Sequence, residues 1–361
     1  MLVTDHDLQR VLCEILRHAG SDEYEAGLVA DHLVRANLTG HDSHGAGMLP
    51  NYVRSVQAGL LLPGTTASLV RDDGSIMVFD GQRGYGQRVA AESMDAAIRR
   101  CRETGLVVMA LRNAHHIGRV GSYGEQSIAA GLVSLHFVNV IDHAPLVVPF
   151  GGRDARYSTN PLCMAMPATA GTPAILLDMA TSKIALGKAR VAQNSGKTVA
   201  PGLLLDHQGE ATTDPAVMFR EPRGALLPFG DHKGYGLAFF CELLAGVLTG
   251  GGTIQPGNPR QGSIVNNMLT FVVDPGRLVD HDWMQAEIDA VTRYVKGSPP
   301  ASPGGTVMVA GDPERKMVAE RQSAGIPVDD GTWEEILQAG EQVGLSRSRL
   351  ESFVAAKMPC R

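Results

Sequence analysis

The chain has 361 residues, of which 44% are hydrophobic and 19% charged, and its formal net charge is −6. This composition is typical of a folded protein with more than one compact unit, and the negative charge argues against a general nucleic-acid or anionic-membrane surface. The N-terminus lacks a basic segment followed by an apolar one, and the most hydrophobic stretch, 237–248, is too short to cross a bilayer, so we expect a cytoplasmic protein. The five cysteines are scattered without a CxxC pair, which predicts neither a disulfide framework nor a structural zinc site.

The first part of the chain has the apolar spacing of helices. The pattern predicts two helices within 4–39, the first capped by Thr4 or Asp5, and a third helix over 47–58. A strand-like segment and a long helix follow, at 75–80 and 87–104.

The next unit alternates between strand and helix. An apolar run over 107–111 predicts a buried strand, and a polar turn with two adjacent histidines, His115 and His116, comes after it. A helix over 120–130 then leads to a second buried strand over 133–138. The paired histidines are therefore predicted to lie in the turn between a strand and a helix.

Short apolar runs punctuated by Gly and Pro fill 145–180, namely PLVVPFGG, PLCMAMPA and AILLDMA, and we predict a strand for each. Further helices are predicted at 182–193, 234–249, 282–296, 314–324, 332–343 and 346–357. Further strands are predicted at 267–273 and 307–309.

These elements together predict an α/β fold with helix-rich ends. We divide the chain into an N-terminal helical segment (1–72), an α/β core (73–310) and a C-terminal helical segment (311–361). We expect the two terminal segments to pack together as a second lobe beside the core.

His115 and His116 are the first candidates for chemistry. In open α/β sheets, ligands bind at the edge where strands end, and a histidine there can change protonation near neutral pH. The alternative is that each imidazole is a hydrogen-bonded loop residue.

A second cluster, His41-Asp42-Ser43-His44-Gly45, follows the end of a predicted helix. Two histidines beside an acid and a hydroxyl are compatible with a metal site, a hydrolytic relay or a polar pocket lining. A structural turn made by Asp42 and Ser43 is the alternative, and the absence of an HExxH-type motif argues against metal.

Familiar nucleotide motifs are missing. Gly84-Tyr-Gly86 is followed by Val89 where a third glycine would stand, so there is no Rossmann fingerprint. Two other segments are suited to an anion, because backbone amides at a helix start bind phosphate: 178–182 (DMATS) and 228–236, which carries His232 and Lys233. An ordinary Thr/Ser cap is the alternative for the first of them.

Taken in register, several motifs resemble one family, the malate/L-lactate dehydrogenase-like oxidoreductases. They are GHDSHG at 40–45, NAHHIG at 113–118, STNP at 158–161, DMATS at 178–182, TTDP at 212–215, GDHKGYGL at 230–237 and GDPE at 311–314. The resemblance implies a nicotinamide cofactor, NAD or NADP, held on a non-Rossmann sheet domain. It also implies a homodimer and a small 2-oxo or 2-hydroxy acid as substrate.

The resemblance further implies roles for individual residues. His116 matches the family's acid/base, and Ser43 and His44 match residues that line the nicotinamide and substrate pocket. The substrate-binding candidates are Met48, Tyr52 and Arg119. The cofactor-binding candidates are His44, Asn160, Asp178, Met179, Ala180, Lys183, His232, Lys233, Gly311 and Glu314.

Two departures from the family pattern bear on the substrate. Met48 stands where many members carry an arginine, and Val140 stands near a position that is lysine in some relatives. The loss of both cations favours 2-oxo acids with neutral or aromatic tails, with Arg119 or Arg54 left to contact the carboxylate. Lys183 slightly favours NADP, although a solvated lysine is the alternative.

Two rival functions remain open. A metal-dependent hydrolase would use His41, His44, His115 and His116 and would lose activity to a chelator. A non-catalytic binding protein would take up nucleotide without turnover. Within the dehydrogenase class, malate/L-lactate-type oxidation and reduction of a cyclic imine (Δ1-piperideine-2-carboxylate) are the alternatives.

Overall fold

The computed structural model describes residues 1–194 and 196–354. The α-helices are α1 (Asp5–His18), α2 (Glu23–Leu38), α3 (Leu49–Gln57), α4 (Gly86–Thr104), α5 (Gly121–Ala129), α6 (Leu186–Asn194), α7 (His232–Cys241), α8 (His281–Lys296), α9 (Asp312–Ala324), α10 (Asp330–Gln342) and α11 (Arg347–Ser352). The strands are β1 (Leu2–Val3), β2 (Ser68–Asp73), β3 (Ile76–Asp80), β4 (Leu106–His115), β5 (Val133–Ile141), β6 (Leu162–Met166), β7 (Ile175–Met179), β8 (Leu204–Leu205), β9 (Ala211–Thr212), β10 (Ala225–Leu226), β11 (Val265–Val273) and β12 (Ile326–Pro327).

A seven-stranded mixed sheet forms the centre of the molecule, in the order β2-β3-β4-β11-β5-β6-β7. Only the β3–β4 pair is parallel among these neighbours, and the other pairs are antiparallel. Strand β11 lies between β4 and β5, so it separates the two strands that α5 connects. The predicted α/β class is confirmed.

A core of apolar side chains lies between this sheet and the helices α4 and α5. It includes Val89 and Met94 of α4, Tyr123 of α5, and Met109 and Met268 of the two central strands. These residues recur at helical spacing in α4 and at alternate positions in the strands, as burial of one face requires. This packing holds the start of α4 against the end of β4.

A second core joins helices from both ends of the chain. Buried residues of α1, α2 and α3 pack with Ile336 and Leu337 of α10 and Leu350 of α11. The short strands β1 and β12 pair antiparallel, with Val3 opposite Ile326. The division of the chain at 72/73 and 310/311 stays a prediction.

A third, smaller core lies around the three-stranded sheet β10-β8-β9 and helix α6. In the part of the chain that the structure describes, no helix is long and apolar enough to cross a membrane.

Several predicted elements differ from the structure. Strand β4 continues through His115, because its polar end pairs with β11 and places His115 opposite Val265. The expectation that both histidines lie in a turn was therefore wrong for His115. Val147, from the first apolar run of 145–180, makes only isolated bridges to Tyr157 and Leu226 instead of a strand.

The predicted strand over 307–309 was also wrong. The backbone N–H of Val309 donates to the carboxylate of Asp312, the first residue of α9, and not to a neighbouring strand. Helix α6 begins at Leu186, later than predicted, because Ser182 bridges Pro228. The long helix predicted over 234–249 is α7 followed by a π-helix at Glu242–Val247. Residues 355–357 of the last predicted helix lie outside the described residues.

Candidate active site

His116 follows the end of β4 and is 8% exposed. Its Nδ1 lies 2.7 Å from the hydroxyl oxygen of Tyr52, which α3 supplies from the helical core. Tyr52 is fully buried, so the ring of His116 is fixed from behind and Nε2 is the ring nitrogen left for a ligand. The structure thus places Tyr52 beneath the imidazole.

Gln87 extends this hydrogen-bonded chain. It lies in the first turn of α4, is fully buried, and its Nε2 is 2.7 Å from the Tyr52 hydroxyl oxygen. Sequence reasoning missed Gln87, because a single glutamine in an amphipathic helix carries no motif. A polar residue among the buried positions of α4 was the available signal.

The backbone around His116 is held on both sides. The side-chain oxygen of Asn266, in β11, accepts the N–H of Ile117 at 2.9 Å, and its amide nitrogen donates to the carbonyl of Asn139 in β5. On the other side, a Cβ added at Gly86 would lie 2.5 Å from the carbonyl carbon of His116. The close approach of α4 to this peptide therefore requires glycine at position 86.

His44 and Ser43 lie against His116. The rings of His44 and His116 stack with centroids 5.5 Å apart and an angle of 17° between their planes. Ser43 Oγ is 3.0 Å from Nδ1 of His44. A Cβ added at Gly187, near the start of α6, would lie 2.7 Å from that of Ser43. The predicted trio of Ser43, His44 and His116 is one cluster.

Burial dominates the electrostatics of this cluster. It lowers the pKa of His116 well below its ordinary value, and His44, His115 and His143 lower it further. Burial also lowers the pKa of His44 to about 4, although the carboxylate of Asp178 opposes the shift. At neutral pH the imidazoles are uncharged, which is the form that can accept a proton.

His115 and His143 stand beside the pair. His115 packs edge-on against the ring of Tyr52, and neither of its ring nitrogens has a hydrogen-bond partner within residues 1–194 and 196–354. His143, in the loop after β5, directs one ring nitrogen to the carbonyl of Ala144 at 2.6 Å. Its proximity to His116 was missed, because the two lie far apart in sequence.

Arg119 is buried in an ion-pair network. Its Nη1 donates to Glu125 at 3.0 Å and its Nε lies 3.3 Å from Asp178, while Arg35 also pairs with Glu125. Nη2 is buried without a hydrogen-bond partner among the residues described. The carboxylates of Glu125 and Asp178 thus neutralise most of the positive charge of the Arg119 guanidinium, which the sequence suggested as a partner of the substrate carboxylate. The substrate role of Arg119 stays a prediction.

Met48 and Arg54 lie on the helical side of the site. Met48 is half-buried and packs against the core formed by the terminal helices. Arg54 is exposed on α3 and pairs with Asn51. The roles of both in substrate binding also stay predictions.

The two segments predicted to bind the cofactor lie side by side. Phe229 N–H donates to the carbonyl of Thr181 at 3.0 Å, and Lys183 N–H donates to that of Leu227 at 2.8 Å. The DMATS segment at the end of β7 therefore runs along the chain that leads into α7. His232 and Lys233 form the exposed first turn of α7, and that helix start has no side-chain cap.

Lys183 is paired within this region. Its Nζ lies 3.3 Å from Oδ1 of Asp231, a residue held at φ 53° directly before α7. The sequence suggests a 2′-phosphate or solvent as the partner of Lys183 and does not reveal Asp231, which lies far along the chain.

Asn160 lies beneath the same two segments. Its amide nitrogen donates to the buried carboxylate of Glu242 at 2.7 Å and to the carbonyl of Ala238 in α7. The backbone carbonyl of Asn160 accepts a hydrogen bond from the hydroxyl of Thr181. Its side-chain oxygen, Oδ1, is buried with no partner in the described part of the chain, and an orphaned acceptor of this kind suits a ligand N–H.

Gly311 and Glu314, predicted to bind the cofactor, lie at the start of α9. Gly311, at φ 92°, abuts β7, since a Cβ there would lie 3.3 Å from the backbone nitrogen of Leu176. Glu314 lies 3.6 Å from the Nε2 of His41, and its Oε2 is buried. Within the ranges that the structure covers, no group of three or more His, Cys, Asp or Glu side chains is arranged to hold a metal ion.

The chain is similar to known dehydrogenases over most of its length. A family model for malate/L-lactate dehydrogenase matches residues 3–337. Hydroxycarboxylate dehydrogenase B of Escherichia coli K12 is 44% identical over 94% of this chain and 93% of its own length. L-Lactate dehydrogenase of Cupriavidus necator is 44% identical over 88% of this chain and 91% of its own.

A solved E. coli structure, provisionally described as a malate/lactate dehydrogenase, superposes with a TM-score of 0.93 at 42% identity, covering 98% of each chain. A match of this extent covers nearly the whole chain. The chain therefore belongs to the malate/L-lactate dehydrogenase family.

Proposed function

We propose that the protein is an NAD(P)-dependent 2-hydroxycarboxylate dehydrogenase, or 2-oxo acid reductase, that acts on small or aromatic 2-oxo acids. The observation that carries the proposal is the buried, uncharged His116, fixed through Nδ1 by Tyr52 and stacked on His44. A neutral imidazole with one free nitrogen can remove the hydroxyl proton of a 2-hydroxy acid during oxidation. In the reverse reaction, the protonated imidazole can return a proton to the 2-oxo acid.

The residues present fit a dinucleotide. The uncapped start of α7 and the exposed His232 and Lys233 supply donors for phosphate. The Oδ1 of Asn160, which lacks a partner among the described residues, supplies one acceptor for an amide. When bound, the nicotinamide accepts or supplies the hydride. We propose that Asp178, Met179, Ala180, Gly311 and Glu314 complete this site, on a mostly antiparallel sheet that differs from the Rossmann arrangement.

The chain's own residues would divide the remaining work. His116 Nε2 would take the proton of the 2-hydroxyl during oxidation and return it during reduction. Ser43 and His44 would line the pocket over the reacting carbon, and their close packing on α6 would exclude water from it. Met48 would present an apolar wall to the tail of the substrate.

The choice between NAD and NADP turns on Lys183. A free lysine would favour the 2′-phosphate of NADP. Asp231 at 3.3 Å competes for the same charge, so NADP would have to displace this carboxylate. Parallel assays with NADH and NADPH decide between the two.

We further propose a homodimer in the cytoplasm. Helix α8 has one buried residue, Thr292, and it exposes the large side chains of Trp283, Val291 and Tyr294. Apolar surface of this extent on one helix favours a protein–protein contact, and a second copy is the partner we expect. The terminal helical segments would then form the lobe that closes over the cofactor.

The decisive experiment follows the absorbance of NADH or NADPH with purified enzyme. The panel comprises pyruvate, phenylpyruvate, oxaloacetate, 2-oxoglutarate and a cyclic imine acid, with His116→Asn as the test variant. We expect turnover to be highest with phenylpyruvate and to fall at least about a hundredfold in the variant, as loss of an acid/base group does.

Other outcomes identify the rivals. Preference for oxaloacetate or the cyclic imine would keep the reaction class and discard the apolar pocket. Cofactor binding without turnover would favour the non-catalytic protein. Hydrolytic activity that a chelator abolishes would favour the metal-dependent hydrolase and contradict the proposal.

A further inference from the structure

A buried chain of three neutral side chains, Gln87–Tyr52–His116, ends at Nδ1 of the proposed acid/base. Both heavy-atom distances along it are 2.7 Å. The chain starts in the first turn of α4, passes through α3 and reaches the loop after β4. Helix and sheet packing thus fix all three members independently of any ligand.

The chain has two possible polarities. In one, the Gln87 amide N–H donates to Tyr52, whose hydroxyl donates to Nδ1, and the imidazole carries its proton on Nε2. In the other, Nδ1–H donates to Tyr52, whose hydroxyl donates to the amide oxygen of Gln87, and Nε2 keeps its lone pair. A rotation of the amide by half a turn exchanges the two arrangements.

Only the second polarity provides a base. An imidazole with its proton already on Nε2 cannot accept the hydroxyl proton of a substrate, whereas one protonated on Nδ1 can. Accepting that proton gives an imidazolium in which Nδ1–H still donates to Tyr52, so no other proton in the chain has to move. The structure turns Nε2 of Gln87 towards Tyr52 and leaves its amide oxygen buried with no partner among the described residues. Half a turn of the amide brings that oxygen to Tyr52, where it is the acceptor that this arrangement needs.

We propose that Gln87, acting through Tyr52, is a positioning residue that sets the protonated nitrogen of His116. The proposal rests on the proposed function, because it assumes that His116 is the acid/base. It assigns to an amide and a phenol the orienting role for which a carboxylate is the usual partner of a catalytic histidine. Because both partners are neutral, they orient the ring without adding a charge that would favour the imidazolium.

The groups that face His116 fit this reading. They are Tyr52 from α3, His44 from the segment 42–44, the adjacent His115, and His143 from the loop after β5. The carboxylate of Asp178 and the guanidinium of Arg119 act on His44. No carboxylate contacts His116 itself among residues 1–194 and 196–354, so a charge introduced at position 87 would be the nearest anion on its Nδ1 side.

Two variants of Gln87 test whether this residue orients the His116 imidazole or only fills space in the core. Gln87→Glu keeps the shape of the side chain. An ionised glutamate can only accept the hydrogen bond from the Tyr52 hydroxyl, and a protonated one can still accept it through its carbonyl oxygen. Gln87→Leu removes the acceptor. We expect Gln87→Glu to keep kcat within about threefold of wild type, and Gln87→Leu to lose about tenfold or more, consistent with loss of one buried hydrogen bond.

The pH profile gives a readout that packing alone would not move. Where the carboxylate introduced at position 87 is ionised, it lies two hydrogen bonds from the imidazole and stabilises its protonated form. We expect the acid limb of kcat/KM for oxidation to move upward by about one pH unit in Gln87→Glu and to stay in place in Gln87→Leu. Gln338→Leu, on the exposed face of α10, serves as the matched control.

The protonated nitrogen can also be observed directly. Side-chain 15N spectra, with the His116 signals assigned by their loss in His116→Asn, should show Nδ1 protonated in the wild type and in Gln87→Glu. Tyr52→Phe should abolish that preference and lower kcat with little change in KM for the cofactor.

The outcomes of these experiments test the positioning role of Gln87 separately from the proposed acid/base role of His116. An active His116→Asn would remove the proposed function itself. An inactive His116→Asn, together with folded Gln87→Glu and Gln87→Leu variants that match each other in kcat, would overturn the inference alone. Protonation of Nε2 in the wild type would overturn it as well.

Discussion

At the scale of single residues, the protonation of His116 links burial to the direction of the reaction. Burial and the neighbouring histidines hold its pKa well below the ordinary value. In oxidation, the neutral form needed as a base is present across the physiological range, so His116 should impose no loss of kcat/KM between pH 8 and pH 6.5. In reduction, the protonated form is scarce, so kcat/KM should fall about tenfold for each unit of rising pH. Initial rates measured against pH in both directions check this, and a flat profile for reduction would contradict it.

Met48 is the second residue whose change has a defined expectation. Met48→Arg places a guanidinium where a substrate tail is proposed to lie, and a bidentate pair with a second carboxylate should raise kcat/KM for oxaloacetate about tenfold relative to phenylpyruvate. Met48→Leu keeps an apolar side chain and should leave the ratio unchanged. Because Met48 also packs on the helical core, thermal unfolding of both variants must accompany the kinetics. An unaltered preference in a folded Met48→Arg would remove Met48 from the pocket.

At the scale of elements, the start of α4 is packed directly on the backbone of His115 and His116. Gly86→Ala would push a methyl group into the peptide that joins His115 and His116. We expect a loss of stability of about 1–3 kcal/mol from overpacking, together with a large fall in kcat as the imidazole shifts. Differential scanning calorimetry and steady-state kinetics measure the two effects.

Gly27→Ala provides the control for that experiment. It lies inside α2 with nothing within 4 Å of an added Cβ, so the same substitution there should be neutral or stabilising by up to about 1 kcal/mol. If Gly86→Ala behaved like Gly27→Ala, the close approach of α4 would not matter to the site.

The elements also show where sequence reasoning succeeds and where it stops. Local patterns predicted the start of α1 and both ends of α4, α5 and β5 to within a few residues, because each buries one regular face. The extension of β4 to His115 could not be predicted, since it depends on pairing with Val265, which lies far along the chain. For the same reason motif matching found Ser43, His44 and His116, but it did not find Gln87 or Asn266, whose roles come from contacts across the fold.

At the scale of the whole molecule, buried histidines make stability depend on pH. Burial lowers the pKa values of His32, His44 and His115 to about 4 and that of His136 to about 3. The unfolded chain takes up these protons near pH 6.5, whereas the folded chain does not, so the stabilising contribution is complete above pH 6.5 and is lost as the pH falls towards 4. Urea unfolding at pH 7.5, 6.5 and 5.5 should show a falling free energy of unfolding, with proton uptake on unfolding at pH 5.5. Equal free energies at pH 7.5 and 5.5 would contradict this account.

The position of β11 has a consequence for how the molecule is made. Strands β4 and β5 flank a gap that only residues 265–273 can fill, and the loop bearing His116 is anchored by Asn266 from that same strand. During synthesis the ribosome therefore releases both flanking strands long before the one that joins them. The nascent chain carries two open sheet edges until residue 273 emerges, and such edges invite pairing with other chains. Assembly of the sheet and anchoring of the loop that bears His116 are thus one late event, completed in the second half of translation.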